Sequence, residues 1–149
     1  MICLSRVDSR LIHGQIIEAW LPHFHIERIA LVDDATVTDG FAKAAMALAV
    51  PPSVQFLVWT VDTAPFDTLE SDAIRTLVLF RDIPTALRAF EHGLKGSLNL
   101  GNVHAGTGRE PVSRTVFLTA DERGLLNALR ESGHPVIIQP IPTDESTTL

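Results

Sequence analysis

Short apolar runs alternate along this chain with longer stretches in which apolar residues recur at helical spacing. Residues 2–7 (ICLSRV) have a β-like bias and lead into a polar run. From 11 to 24 a helical face passes through Ile12, Ile16, Ala19, Trp20 and Phe24, with Pro22 predicting an end near Leu21. Residues 26–32 form a second strand, closed by Asp33 and Asp34. Thr38 or Asp39 is placed to cap a helix through Leu48, and Pro51-Pro52 stops it. Its small face, Ala42, Ala45, Met46 and Ala49, predicts close packing on a sheet or on a second copy of the chain.

The rhythm continues to the end. Residues 54–59 read as a strand and 60–72 as holding one short helix. The nearly all-apolar run 74–80 is a central strand covered on both faces. A helix over 83–92 ends at Gly93, a left-handed cap. A brief strand, 98–100, precedes the glycine-rich turn 101–108, and 114–118 is another strand. Thr119 to Glu122 has the spacing of a capping box and opens a helix to about Ser132, followed by a last strand over 134–141. Strands alternating with helices at this spacing predict a single open three-layer α/β domain, residues 1–142, with a mostly parallel sheet. Residues 143–149 are expected to form a loose polar tail.

Composition narrows the function. A formal net charge of -6 argues against a nucleic-acid binder while leaving room for a local positive pocket. The one cysteine, Cys3, excludes an internal disulfide or a multi-cysteine metal site. No apolar stretch reaches the roughly 18 residues of a membrane span, so a cytoplasmic protein is expected. No His, Asp and Glu spacing matches a known metal motif, and arginines beside His13 would repel a cation. The turn GNVHAGTG is neither GxGxxG after the first strand nor a P-loop, so nucleotide binding is weakly indicated.

The chemistry concentrates between Arg6 and Gln15. His13 lies in a loop with Arg6, Asp8 and Arg10, and Gly14 allows close backbone approach. A neutral imidazole can attack phosphorus while guanidinium and backbone N–H groups neutralise the phosphoryl oxygens. The residues alone leave a second reading open, a solvated polar connector with a capped histidine. Asp8 is placed either to orient the ring or an arginine, or merely to cap the helix. Gln15 fits an exposed helix surface equally well. Open α/β sheets bind ligands beyond the carboxyl ends of their strands, where this loop, Asp33-Asp34 and the 101–108 turn all fall. Asp33 is placed to close such a pocket electrostatically or to make an Asx turn.

Taken together, SRVDSRLIHGQI resembles the active-site loop of phosphotransferase system IIB components of the mannose/fructose/sorbose family. The likeness continues through ALVDDATV, AVPPSVQFLV, SLNLGNVHAG and VFLTADE and spans essentially the whole chain. It implies a phosphohistidine carrier that takes a phosphoryl group from a IIA partner and passes it to a sugar brought through the membrane by IIC and IID subunits, with which it associates peripherally. It implies His13 as the phosphorylated residue, attacking through Nδ1, with Arg6 and Arg10 as anion-binding arginines and Asp8 organising the loop. Asn99, Gly101 and Asn102 match the neighbouring turn, and His104 follows as a pocket residue. No metal, ATP or other cofactor is implied within the domain. The family's sheet is mainly parallel with one antiparallel strand near the C-terminus. Two departures stand out: Ser9 occupies a position where the family commonly has a second aspartate, and Thr107-Gly108-Arg109-Glu110 replaces a basic stretch of many members. They leave a rival reading, a phosphorylatable regulatory or interaction protein that serves no sugar.

Overall fold

The computed structural model describes residues 1–149. Nine strands follow in chain order: β1 (Ile2–Asp8), β2 (Arg28–Val32), β3 (Gln55–Trp59), β4 (Thr76–Phe80), β5 (Leu98–Asn102), β6 (Glu110–Pro111), β7 (Phe117–Leu118), β8 (Val136–Ile138) and β9 (Thr147–Thr148). Seven make one open sheet in the order β3-β2-β4-β1-β5-β8-β9, parallel throughout except for β9. Every residue of β2 and β4 is buried, as expected of apolar strands covered on both faces. Side chains alternate along β4: Leu77 and Leu79 enter one core layer, Val78 and Phe80 the other.

Each core layer has its own helical cover. On one face lie a π-helical segment, Gln15–Trp20, its continuation α1 (Leu21–Phe24), and α3 (Gly40–Ala49) after the short α2 (Asp34–Val37). On the other lie α4 (Phe66–Ser71), α5 (Ile83–Glu91) and α6 (Ala120–Glu131). The capping box of Thr119 and Glu122 opens α6, and Asp39 caps α3 through Ala42 N–H. No helix is long and apolar enough to cross a membrane.

Four details differ from the periodicity. The first helix begins at Gln15, so residues 11–14 remain in the loop, and it continues to Phe24. Its wide turns close with Leu21 N–H on the Ile16 carbonyl, so Pro22 falls in the first turn of a fresh α segment, where no N–H is required. Helix α3 buries none of its residues; Ala45 and Ala49 face solvent beside Phe41 and Leu48, while Met46 meets the core. Of residues 114–118 only Phe117–Leu118 are strand, paired antiparallel with β6, while Val116 bridges to Val103. The stretch expected as a loose tail contributes β9, antiparallel to β8 through Ile137–Thr148 and Ile138–Thr147. Edge strand β8 leaves backbone groups that these residues satisfy.

Candidate active site

Strand β1 lies near the centre of the sheet between β4 and β5. Alternation puts Arg6 and Asp8 on one face, opposite Asn99 and Asn102 of β5. A register shift after Val7 pairs Asp8 with Asn102 instead of Gly101. Arg6 has no solvent exposure. Its Nη1 donates to Asn99 Oδ1 at 2.7 Å and to the Gln139 carbonyl at 3.0 Å. Nε and Nη2 donate to Asp8 Oδ2 at 3.1 and 2.9 Å, and Nη2 to Gln15 Oε1 at 3.4 Å. The guanidinium also sits 5.5 Å from the centre of the Trp20 ring, a cation–π contact. Gly101 makes space for it: a β-carbon there would lie 1.9 Å from Arg6 Cζ. Burial lowers the Arg6 pKa, against which the Asp8 charge acts.

Asp8 links this buried arginine to the loop. Its Oδ2 also accepts from Asn102 Nδ2 at 2.9 Å and lies 2.8 Å from His13 Nε2. Burial raises a carboxyl pKa, but hydrogen bonding from His13, the Arg6 charge and the Asn102 amide together hold Asp8 below the usual range. An ionised carboxylate only accepts, so Nε2 carries the ring proton and Nδ1 of the neutral ring has the lone pair. That Nδ1 is buried and has no hydrogen-bond partner.

The loop itself is tightly turned. Arg10 N–H donates to Asp8 Oδ1 at 3.0 Å, and Leu11 N–H to the Asp8 carbonyl at 3.0 Å. Leu11 is buried with a φ of 55°, a left-handed conformation costing a non-glycine residue roughly 1–2 kcal/mol. The N–H groups of Ile12, His13, Gly14 and Gln15 donate to no backbone carbonyl, while the His13 carbonyl accepts from Ile16 and Ile17 at 3.0 Å each. Four consecutive N–H groups without a backbone acceptor and an exposed Arg10 therefore flank in sequence a histidine whose Nε2 is held by Asp8.

A family model described as the PTS system sorbose subfamily IIB component matches residues 2–149. The chain belongs to that family. The sorbose-specific EIIB component of Lacticaseibacillus casei is 26% identical over 152 residues, covering 100% of this chain and 93% of that protein. The N-acetylgalactosamine-specific enzyme IIB component 2 of Escherichia coli K12 is 24% identical over 151 residues, covering 99% and 96%. The crystal structure of manxB from Thermoanaerobacter tengcongensis aligns with a TM-score of 0.87 at 32% identity, covering 99% of this chain and 92% of that one. As a IIB component the protein is a phosphotransferase of a sugar-transport system.

Within this IIB domain most of the residues expected at the site do converge. Asp8, His13, Gln15, Asn99, Gly101 and Asn102 form one continuous cluster around Arg6; Gln15 Oε1 accepts from Asn102 Nδ2 at 2.8 Å. Gly14 is exposed at the helix entrance. The two arginines expected to clamp an anion together are separated by burial: Arg10 faces solvent and Arg6 is enclosed, with its donors already engaged. Asp33 joins a different group, accepting from Arg81 Nη2 at 3.0 Å and from the Thr36 hydroxyl. The His104 ring is exposed; only its peptide approaches the loop. No group of three or more His, Cys, Asp or Glu residues could hold a metal.

Sequence reasoning missed two parts of the cluster. Trp20 reads as core from its helical spacing, yet its ring underlies Arg6 and its Nε1 donates to the Pro140 carbonyl at 2.9 Å. Gln139 contributes a carbonyl, which leaves no trace in residue type.

Proposed function

We propose that His13 is the phosphoryl relay of this IIB component, with Nδ1 as the attacking atom. The observation that carries the reading is the 2.8 Å contact from His13 Nε2 to Asp8, which keeps the proton on Nε2 and the lone pair on Nδ1. Attack on a donor phosphohistidine forms the new N–P bond as the old one breaks, and the donor nitrogen recovers its lone pair. Positive charge then develops on the His13 ring, where the Asp8 carboxylate stabilises it. Arg10 and the unpaired N–H groups of residues 12–15 supply donors for the phosphoryl oxygens. Arg6 acts at one remove, holding Asp8 in place and ionised.

Because Nδ1 is closed off from solvent, the donor's approach has to displace the ring or its loop. A IIA-type phosphohistidine protein is the donor in this reading, and a sugar held by IIC and IID membrane subunits is the acceptor. The IIB domain works in the cytoplasm, docked peripherally on those subunits.

Incubation with a phosphorylated IIA protein, followed by mapping of the modified residue, tests the assignment. Label is expected on His13 and absent from His13→Ala. Undiminished labelling of His13→Ala would overturn it.

A further inference from the structure

Ser9 and Arg109 have no part in the relay described above. The fold brings them together. Ser9 Oγ accepts from His104 N–H at 3.2 Å, and Ser9 N–H donates to the Asn102 carbonyl at 2.8 Å. On the other side of His104, its carbonyl accepts from Arg109 Nη1 at 2.9 Å. Arg109 Nε and Nη2 then reach Glu122 Oε1 and Oε2 at 3.2 and 3.3 Å. Glu122 is itself fixed: it accepts from Thr119 N–H and donates its own N–H to Thr119 Oγ1, each at 3.0 Å. Contacts thus run without a break from the first turn of α6 to the residue beside Arg10.

We propose that Arg109 and Glu122 are positioning residues for phosphoryl transfer, holding the His104 peptide against Ser9 and so fixing the base of the His13 loop. The proposal rests on His13 being the phosphoryl acceptor. Bonds from Asp8 to Arg10 and Leu11 anchor the start of the turn to the end of β1. The two Ser9 contacts tie that turn to β5 and the segment after it. Residues 104–108 are exposed and include Gly106 and Gly108, so their position depends on an outside hold. Arg109 provides one because its planar fork satisfies a carbonyl and a carboxylate at once, which a lysine cannot reproduce. What is fixed in this way is the origin of Arg10, the exposed cation of the loop.

The test uses the full chain in Ser9→Ala, Ser9→Thr, Arg109→Met, Glu122→Gln and the double Ser9→Ala/Arg109→Met. Glutamine at 122 retains the capping acceptor, so the fold is kept while the ion pair is lost. Single-turnover phosphoryl acceptance from a phosphorylated IIA protein is measured against donor concentration, together with 15N shifts of the His13 ring. Ser9→Ala and Arg109→Met are each expected to slow the transfer step roughly tenfold, with half-saturation changed less than about twofold. Glu122→Gln shifts in the same direction, Ser9→Thr keeps the wild-type rate, and the double variant is no slower than the worse single. An unchanged rate in Arg109→Met, multiplicative losses in the double, or failure of Ser9→Thr to keep the rate would overturn the proposal. If even the wild type takes no phosphoryl group, the relay reading fails and this proposal falls with it, whereas normal wild-type transfer with an unchanged rate in Arg109→Met overturns this proposal alone. Shifts that move alike in Ser9→Ala and Arg109→Met support it; shifts that stay still refute it.

Discussion

Two arginine–aspartate pairs sit at opposite ends of the parallel sheet, and they differ in what is left over. At the N-terminal end Arg28 makes two bonds to Asp72, at 2.9 and 3.0 Å, and its Nε donates to Thr76 Oγ1 at 2.9 Å. Asp72 also accepts from the Ile74 N–H and the Met1 ammonium, each at 3.1 Å. Every strong donor finds an acceptor, and the result is a clamp between strands. At the C-terminal end Arg6 and Asp8 are both wholly buried, yet the carboxylate also holds a histidine whose second nitrogen has no partner. A buried ion pair by itself is weak evidence of function. An ion pair that also orients an imidazole and leaves its second nitrogen without a partner is stronger evidence.

The largest expected separation comes from removing the carboxylates. Asp8→Asn strands a buried guanidinium and should destabilise the fold by about 3–5 kcal/mol in chemical denaturation. Asp72→Asn should cost clearly less, because solvent reaches that pair. Equal losses would erase the distinction between the two ends. Next comes Gly101→Ala, whose new methyl meets Arg6 head-on. With the guanidinium enclosed on all sides, roughly 1–3 kcal/mol is expected, and phosphoryl acceptance should fall with it. A stability change near zero would mean that Arg6 is free to move, contrary to its role as a fixed support. Thr76→Val, at the opposite end, deprives Arg28 Nε of its acceptor. Loss of about 1 kcal/mol is expected, with transfer unchanged. A selective loss of transfer would deny that this end is purely structural.

Much of this was legible from residue order, for identifiable reasons. A nearly unbroken apolar run marked β4 as a covered strand, and Thr119 with Glu122 announced the start of α6. The His13 loop stood out because charged residues follow an apolar strand without a helical or strand period. Burial of Arg6 was hidden, since an arginine in a polar run reads as solvated. Only the approach of Asn99, Gln139 and the bare backbone of Gly101 explains it, and those contacts cross 93 to 133 residues of sequence. The apolar character of α3 was legible, but its solvent-facing position was not: an Ala-rich face does not say which side meets the sheet. Asp33 was misleading for a related reason. Its place after a strand was correct, and its partner Arg81 comes from the end of β4 instead of the histidine loop.

Acid provides the finest test of the contrast, because both carboxyls have lowered pKa values for different reasons. Hydrogen bonds from Arg28 hold Asp72 down at about 2, where its unfolded value is near 3.9. A depressed folded value means that the contribution is complete above about pH 4 and is lost as pH falls from there toward 2. Asp8 has the same sign, so its contribution also disappears on acidification. The two respond differently to salt. Raising ionic strength from about 0.1 to 1 M shortens the screening length from roughly 10 to 3 Å, which weakens the solvent-reached Asp72 pair and barely touches the enclosed Asp8 pair. Unfolding free energy measured from pH 5 to pH 2 should therefore contain a salt-sensitive part that Asp72→Asn removes. The acid dependence that persists in Asp72→Asn at high salt includes the part belonging to Asp8. If Asp72→Asn instead retains the full salt-sensitive slope, the outer pair is not the exposed clamp that its geometry describes.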